Sequence, residues 1–305
     1  MQNYFIKEKL DLFWWFVNER QSIWNKRFIE KLPYPWTSDK VLKEEHFTNV
    51  YRELDPGTLY VVKSILELNK PKPDKIFNNM IYRLIGREET FDFIGFQDLV
   101  SFNPKIFQSK LKDFRSSGKN VFTGAYLVSG YSNMGSKDKI ENITKLFIKI
   151  HNNFDLFYNN IENSKTSEQV YTVIKSQDGF GNFLAYQVLV DLLYPLKCYQ
   201  NKPLLPYSHN DWAIAGPGAR KGIKLIIDGA VKISDLDVMK WLRSNQKNEF
   251  KRLDLKFPYL IKNKEKMEIS LANIQNCLCE FYKYVKIKEG FGRGRRKFKT
   301  PFLVP

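Results

Sequence analysis

Residues 167–194 read SEQVYTVIKSQDGFGNFLAYQVLVDLLY, and this stretch decides the fold. Apolar residues recur at helical spacing on both sides of Asp178-Gly179-Phe180-Gly181-Asn182, which predicts two helices joined by a tight glycine turn. Two glycines allow a sharp turn with positive φ and bring backbone amides close to a phosphate, and the following helix adds positive charge at its N-terminus. This pattern is typical of helix-hairpin-helix elements, which hold a DNA backbone without reading its sequence. We therefore expect Gly179, Gly181 and Asn182 to contact DNA, with an ordinary interhelical turn as the alternative.

The rest of the chain carries the same helical periodicity. Only residues 121–130 (VFTGAYLVSG) alternate enough to predict a short strand or hairpin, and 255–262 is predicted to be irregular. No βαβ alternation is present, which disfavours a doubly wound nucleotide-binding fold. The sequence therefore predicts a mostly α fold with at most a short β-hairpin. Helices are predicted over 4–31, 57–69, 74–86, 138–161, 167–176, 183–194, 232–245 and 268–284. Three more are predicted, one from Thr37 or Ser38 to Pro56, one that starts at Pro104 and one that follows a second glycine turn at 216–222.

Composition places the chain among globular proteins with an anionic partner. Of 305 residues 43% are hydrophobic and 15% aromatic, which is ample for a packed core and excludes wholesale disorder. The 49 Lys and Arg outnumber the 33 Asp and Glu, giving a net charge of +16. A polyanion such as DNA is the first candidate partner, although a Lys-rich sequence also arises from an A·T-rich genome.

The chain carries few residues that bind metals or form disulfides. Three Cys (Cys198, Cys277, Cys279) and three His form no CxxC or Cys/His ligand set, so we expect neither a zinc site nor a disulfide framework, and no cofactor. No apolar run reaches 18 residues, and the start lacks the layout of a signal peptide. We expect a cytoplasmic protein with no membrane partner.

A second glycine turn occupies residues 211–222, DWAIAGPGARKG. The rigid Gly216-Pro217-Gly218 segment permits close approach of a ligand to the backbone, and Arg220 and Lys221 follow where a helix begins. Amides, helix dipole and two cations together suit an oxyanion or diphosphate. A loop with surface cations is the alternative. The stretch GYSNMGSK (130–137) only approaches a phosphate-binding P-loop, and without a preceding buried strand we reject kinase chemistry of that type.

Charged and aromatic residues inside apolar stretches supply further candidates. Arg and Glu in such settings are usually paired or functional, and buried salt bridges between helices are the alternative. An unpaired carboxylate inside an apolar helix is also costly, so Asp191 either pairs internally or faces a site. The aromatic candidates for base stacking are equally compatible with core positions. These candidates are Glu19, Arg20, Arg52 and Glu53, Asp191 and Asp211, and the aromatic pair Trp36 and Tyr51.

The C-terminal stretch from residue 286 to 305 is basic. Between Lys283 and Lys299 there are eight basic residues and one acidic residue. Its Gly, Arg and Phe residues suit phosphate contact with stacking, and Arg293, Arg295 and Arg296 are the candidate DNA contacts. A solvated, partly mobile terminus is the alternative.

Six ordered blocks together resemble a known family: FWWFVNERQSIWNKR, PYPWTSD, HFTNVYRELD, GFGNFLAYQVLVDLLY, AGPGARKGI and NCLCEFYKY. They are similar to the α-glutamyl/putrescinyl thymine pyrophosphorylases, or amino acid:DNA transferases, also catalogued as the helical domain associated with 5-hydroxymethyluracil DNA kinase. The resemblance covers about residues 12 to 285. It implies a helix-hairpin-helix fold of the DNA glycosylase superfamily in a protein largely encoded by bacteriophages. We expect one helical unit over 1–285, with sub-lobes 1–150 and 151–285, followed by the basic tail 286–305.

The resemblance also implies a reaction, the hypermodification of thymine in DNA. A kinase first converts 5-hydroxymethyluracil to its pyrophosphorylated form, and the transferase replaces pyrophosphate with an amine such as an amino acid or a polyamine. The kinase P-loop domain of some relatives is not in this chain, so we expect the transferase, with an upstream kinase as pathway partner. Flipping the base out of the duplex exposes its C5 substituent. Asp211 corresponds loosely to a catalytic Asp of glycosylase relatives.

These residues receive hypothetical roles. Arg220, Lys221 and the amides of Gly216 to Gly218 would bind the leaving pyrophosphate. Asp191, Asp211 or Glu19 would take the proton of the amine. Arg20 or Arg52 would bind an amino-acid carboxylate through a bidentate contact. The alternatives are a monofunctional glycosylase acting on 5-hydroxymethyluracil-type bases and a DNA-binding subunit without catalysis.

Overall fold

The computed structural model describes residues 2–126, 128–262, 264–294 and 296–298, and these ranges are mostly helical. Their only sheet has two antiparallel strands, β1 (Leu260–Lys262) and β2 (Glu265–Met267), with Leu260 paired to Met267. The α-helices are α1 (Lys7–Phe28), α2 (Lys40–Glu44), α3 (Pro56–Val61), α4 (Lys72–Ile85), α5 (Glu88–Ile94), α6 (Pro104–Ser116), α7 (Lys139–Asn152), α8 (Phe154–Asn163), α9 (Ser167–Lys175), α10 (Asn182–Leu192), α11 (Pro217–Ile226), α12 (Asp235–Arg252) and α13 (Leu271–Lys288).

The chain divides into two compact units. The central unit is Pro56–Asp211, and the terminal unit combines the residues up to Asp55 with those from Trp212 onward. The sub-lobe boundary expected near residue 150 does not coincide with this division. Residue 150 lies inside α7, within the central unit.

The core of the central unit is built around α4 and α10. Both helices are buried on nearly all sides, from Asp74 to Ile85 in α4 and from Leu184 to Leu192 in α10. The ring of Phe77 makes edge contacts with aromatic rings of three neighbouring segments, which fixes α4 against α7 and α8. Over these residues both helices lack a solvent face, and they bury polar side chains as well as apolar ones, among them Arg83 of α4 and Asp191 of α10.

The terminal unit packs α1 and α11 against α13. Phe13 and Phe16 of α1 contact Phe281 of α13 through tilted and edge-on rings. The axes of α11 and α13 approach closely, since a Cβ atom at Gly222 would lie 2.2 Å from the carbonyl oxygen of Leu278. Only glycine permits that approach.

Several expected boundaries are confirmed by local signals. Gly86 ends α4 in the left-handed conformation with φ 66°, and the Asn103 side chain caps α6 at the Pro104 start. The helix expected from Thr37 or Ser38 is instead capped by Asp39, and it ends at Glu44 rather than at Pro56. The segment that follows it carries site residues in extended and 3₁₀ conformations.

Other expectations are corrected by the structure. The described residues of 121–130 form bends and irregular backbone rather than a strand, and their alternating pattern has no described strand to pair with. The first strand of the sheet, β1, lies instead at the end of the stretch expected to be irregular, 255–262, and β2 follows that stretch. The single helix expected over 138–161 is interrupted at Asn153, which separates α7 from α8. In the described residues, no helix combines the length and the hydropathy that crossing a membrane requires.

Candidate active site

A cluster of charged side chains lies in the terminal unit, and we call its members, Arg20, Arg52, Asp55 and Glu280, the polar cluster. Arg20 projects from α1 and is only 8% exposed. Its guanidinium donates to the carbonyl oxygen of Phe47 at 3.1 Å and to that of Thr48. Arg20 thereby fixes the start of the 47–55 segment, which contributes Arg52 and Asp55 to the cluster.

Helix α13 supplies the other wall of the polar cluster. Asn273, Asn276 and Glu280 recur at i, i+3 and i+7, so they share one face of the helix. The Oδ1 of Asn273 accepts from the backbone N–H of Arg52 at 3.0 Å, and the amide of Asn276 donates to Thr48 Oγ1 at 3.0 Å. The N–H of Thr48 donates to Glu280 Oε2 at 3.3 Å. These bonds hold the 47–55 segment against α13.

Burial perturbs the titration of the cluster. Burial raises the pKa of Asp55 to about 6, against the opposing effects of the Asn49 backbone N–H and the Arg52 charge. The same cause lowers the pKa of Arg20 despite attraction by Glu280 and Asp55. Burial also raises the pKa of Glu53, whose Oε2 accepts from the Asn273 amide at 3.1 Å. A carboxylate with a pKa near neutrality beside two guanidinium groups is suited to general base catalysis near an anion.

The N-terminus of α11 lies in the same unit. Gly216 is the N-cap, and no side chain caps the first turn. The structure gives Gly218 and Gly222 a packing function, because a Cβ at Gly218 would lie 2.3 Å from Cys279 Sγ. The α11–α13 contact thus explains why glycine stands at these two positions. The presence of glycine at position 218 does not require the ligand-binding role that the sequence suggested.

The two cations after this turn are engaged at the surface. Arg220 Nε donates to Asp235 Oδ2 at 3.0 Å, and its side chain is 59% exposed. The ammonium of Lys221 lies 5.2 Å from the ring centroid of Tyr282. The backbone amides in the first turn of α11 are therefore better placed than these side chains to donate hydrogen bonds to an anion.

The glycine turn of the central unit has the expected form. Gly179 has φ 84°, and Gly181 is the N-cap of α10 with open space at its Cβ position. Tyr171 of α9 donates to the Asn182 Oδ1 at 3.0 Å, which ties the two helices together. The amides at the start of α10 have no side-chain cap. A cavity of about 350 Å³ lies beside the turn and is lined by Lys149, Ile150, Asn153, Ser176, Gln177 and Asp178.

Asp191 is an ion-pair partner rather than an unpaired carboxylate. Its side chain is fully buried, and both oxygens accept from Arg83 of α4 at 2.5 Å, through Nε and Nη2. Although burial opposes it, the Asp191 charge raises the pKa of Arg83. This bidentate pair ties α10 to α4, which corrects the expectation that Asp191 serves as a general base.

The remaining carboxylate candidates lie apart from these features. Asp211 is exposed, and its Oδ2 accepts from the Ser208 N–H at 2.8 Å within the turn that ends the central unit. Glu19 is half-buried on α1, next in sequence to Arg20. The candidate residues are thus divided between the units, with Asp191 and Asp211 in the central one.

Neither predicted stacking residue presents a ring to solvent. Tyr51 is fully buried and donates to the Met267 carbonyl at 2.6 Å. Trp36 is 8% exposed, and its Nε1 donates to the Leu32 carbonyl at 2.7 Å. Both are core residues in this structure, which corrects the expectation that they stack on a base.

The described part of the basic tail folds back on α2. The N–H of Phe298 donates to the Glu44 carbonyl at 2.8 Å, and Lys297 pairs with Glu45 at 2.5 Å. Arg293 and Arg296 are exposed, as expected for DNA contacts, whereas Arg295 lies outside the described residues. Residues 296–298 therefore have hydrogen-bond and ion-pair partners on the segment 44–46.

Sequence reasoning singled out Arg20, Arg52 and Glu53 but missed Asp55 and Glu280. The missed signal was the polar stripe on α13, an Asn, Asn, Glu series at helical spacing on one face of the helix. Among the described residues no group of three or more His, Cys, Asp or Glu could hold a metal ion. The side chains of the polar cluster can bind a ligand through hydrogen bonds and charge.

Comparison with known proteins gives two matches. The sequence family described as "5-hmdU DNA kinase, helical domain" matches residues 7–291. A 5-hmdU DNA kinase of Bacillus phage SP10 is 33% identical over an alignment of 284 residues, and the alignment covers 88% of this chain and 44% of that protein. The chain thus spans less than half the length of this relative. No solved structure matches. Because the family match covers nearly the whole chain, the protein belongs to the family of the 5-hmdU DNA kinase helical domain.

Proposed function

We propose that the chain is an enzyme of thymine hypermodification in DNA, replacing the pyrophosphate of a 5-(pyrophosphoryloxymethyl)uracil base with an amine. The amine is an amino acid or a polyamine, and a 5-hydroxymethyluracil DNA kinase acts upstream in the host-cell cytoplasm. Family membership and the relative from a phage support a DNA-modification pathway. The choice of amine transfer rests on the polar cluster.

The single observation that carries this choice is Asp55, a carboxylate whose pKa is raised to about 6 beside two buried guanidinium groups. Amine transfer requires a base for the proton of the nucleophile and positive charge for the pyrophosphate. A base with a pKa near neutrality is ionised at pH 7 and still a competent proton acceptor. The polar cluster combines both requirements within one unit.

The proposed reaction is a substitution at the exocyclic methylene carbon. The bond between this carbon and the pyrophosphate oxygen breaks, and its electron pair leaves with pyrophosphate. The amine nitrogen forms a new bond to the carbon, and Asp55 accepts the proton that the nitrogen loses. Arg20 and Arg52 stabilise negative charge, either on the pyrophosphate or on the carboxylate of an amino-acid nucleophile.

DNA binding is assigned to the glycine turn and to the tail. The uncapped amides at the start of α10, with Gly181 open to solvent, suit a phosphate of the backbone. Arg293 and Arg296 would add charge contacts that weaken with salt.

Mass spectrometry of nucleosides tests this function. Duplex DNA carrying pyrophosphorylated 5-hydroxymethyluracil is incubated with the protein and a mixture of amino acids and polyamines, then digested. We expect a new thymidine–amine mass, lost in Asp55→Asn and retained in Glu265→Gln, an exposed carboxylate on β2 of the same unit. Loss of the base would indicate a glycosylase, and unchanged DNA with measurable binding would indicate a binding subunit; either result contradicts the proposal.

A further inference from the structure

One surface of the terminal unit carries an excess of lysine that the proposed function does not use. Residues 240–266 contain nine Lys and Arg against three Asp and Glu, a more one-sided ratio than that of the whole chain. The stretch runs from the middle of α12 to the strands β1 and β2. Clustering of positive charge on one surface is the electrostatic footprint of an anionic partner.

Helix α12 contributes a row of lysines. Lys240, Lys247 and Lys251 recur at i, i+7 and i+11, so they share one face of the helix, and all three are exposed. The residues exposed between them are uncharged, and the acidic residue of this part of the helix, Glu249, is buried. We call the three lysines the α12 lysine row. It spans about 16 Å at about 1.5 Å per residue, which is the length of about five base pairs of duplex DNA.

The hairpin of β1 and β2 carries three more lysines, and we call residues 260–267 the lysine hairpin. Lys262, Lys264 and Lys266 are exposed, and Glu265 is the acidic residue among them. Within the part of the chain that the structure describes, none of the three lysines forms a salt bridge. Their charges are therefore open to an external partner.

Aromatic contacts fix the lysine hairpin against α12. The ring of Phe257 stacks on that of Phe250 in α12, with 4.4 Å between the centroids, and Tyr259 meets Phe257 edge-on at 4.8 Å. Lys247 of the α12 lysine row pairs with Glu268, which directly follows β2, at 2.5 Å. The row and the hairpin thus form one continuous basic surface.

The lysine hairpin also adjoins the polar cluster. Tyr51, in the 47–55 segment, donates to the carbonyl oxygen of Met267 at the base of the hairpin. Burial raises the pKa of Glu53, and the charge of Lys262 is among the effects that oppose it, so Lys262 lies near Glu53. A flipped base stays attached to its strand, so the phosphates on either side of it lie close to the site that holds it. The basic surface is placed where those phosphates would run.

We infer that the lysine hairpin and the α12 lysine row bind the phosphate backbone of duplex DNA beside the base held at the polar cluster. Lysine ammonium groups bind phosphates as point charges and do not read sequence. These contacts add to those assigned to the α10 turn and to Arg293 and Arg296. The inference rests on the proposed function for the choice of DNA over other polyanions.

The salt dependence of DNA binding tests the inference and needs no turnover. Binding of the full chain to a short fluorescent duplex is followed by anisotropy at several salt concentrations. The hairpin variant is Lys262→Gln/Lys264→Gln/Lys266→Gln, and the row variant is Lys240→Gln/Lys251→Gln. The matched control replaces three exposed lysines of the same unit outside this surface, Lys7→Gln/Lys31→Gln/Lys40→Gln.

Each phosphate contact contributes about 0.9 to the slope of log affinity against log salt concentration. The hairpin variant is therefore expected to lower this slope by about 2–3 and to weaken binding at about 0.1 M salt at least tenfold. The row variant is expected to lower the slope by about 1–2. Tm should not change in either variant, because all the replaced side chains are exposed. The control is expected to bind DNA within about threefold of the wild type, with a slope that is nearly unchanged.

Equal weakening in the hairpin variant and the control would overturn the inference, because net charge alone would then explain binding. Unchanged DNA binding in either the hairpin or the row variant would overturn it as well. So would a loss of binding to phosphatidylserine vesicles with DNA binding intact, which would assign the surface to a membrane. Weakened DNA binding in both variants, without amine transfer by the wild type, would support the inference while contradicting the proposed function.

Discussion

Replacing Asp55 with asparagine tests the electrostatics of the polar cluster. Asparagine keeps an oxygen that can accept from the Asn49 backbone N–H, as Asp55 Oδ1 does at 2.9 Å. It removes the charge that burial disfavours. The substitution therefore isolates the energetic cost of an ionised carboxylate at this position.

The magnitude follows from the pKa. Burial raises the pKa of Asp55 from 3.8 to about 6. Two pKa units correspond to about 3 kcal/mol at about 1.4 kcal/mol per unit. Because Asp55 is partly accessible to solvent, screening reduces the expected effect to about 1–2 kcal/mol.

The sign follows from proton linkage. The folded protein binds the Asp55 proton more tightly than the unfolded chain does. The stabilising contribution is therefore complete below pH 4 and is lost as the pH rises through about 6. At pH 8 the ionised carboxylate destabilises the wild type, and Asp55→Asn relieves that cost.

Urea unfolding at pH 4, 6 and 8 measures the effect. We expect Asp55→Asn to increase the free energy of unfolding by about 1–2 kcal/mol at pH 8, with the gain disappearing towards pH 4. A variant less stable than wild type at pH 8, or a gain that is the same at every pH, would refute the reasoning.

Three further substitutions test the packing and the turn. Gly222→Ala should lower the free energy of unfolding by about 1–3 kcal/mol in thermal or urea unfolding, because its Cβ would lie 2.2 Å from the Leu278 carbonyl oxygen. Asp191→Asn should cost about 3–5 kcal/mol in the same assays, because it leaves the Arg83 guanidinium without its buried counter-charge. Gly181→Ala should leave Tm unchanged but weaken binding to duplex DNA severalfold in a fluorescence titration, since its open Cβ position faces the proposed phosphate site.

Each of these substitutions has a control or a contradicting result. Gly229→Ala introduces a Cβ into open space, so it should leave stability nearly unchanged, and an equal loss at both glycines would contradict the packing argument. Loss of activity in Asp191→Asn with unchanged stability would return Asp191 to the list of catalytic candidates. Unchanged DNA affinity in Gly181→Ala would remove the α10 turn from the proposed DNA interface.

Local signals made much of the fold predictable. Gly86 and the Asn103-Pro104 pair act within one helical turn, so the sequence alone locates the boundaries that they set. The strand expected at 121–130 failed because an alternating pattern needs a neighbouring strand to form a sheet. Helix α2 ends early because the carbonyl oxygen of its last residue, Glu44, accepts from the N–H of Phe298, which is distant in sequence.

Site residues were predictable only where a charged side chain stands in an apolar stretch of sequence. Arg20 and Arg52 interrupt apolar stretches, and this conflict is visible in the sequence. Asp55 and Glu280 look like ordinary surface carboxylates in the sequence, because the 47–55 segment and α13, which bring them together, are more than 200 residues apart. Gly218 and Gly222 show a related ambiguity, since close helix packing and ligand binding both require the absence of a Cβ atom.

The pH dependence of a single turnover tests the central claim most directly. Wild-type protein in excess over pyrophosphorylated 5-hydroxymethyluracil DNA is mixed with a saturating amine, and the thymidine–amine product is followed by mass spectrometry. We expect the rate to rise with pH through an inflection near 6 that disappears in Asp55→Asn, together with a rate loss of about 100-fold or more. An unchanged rate and inflection in Asp55→Asn would contradict the assignment of the polar cluster as the active site.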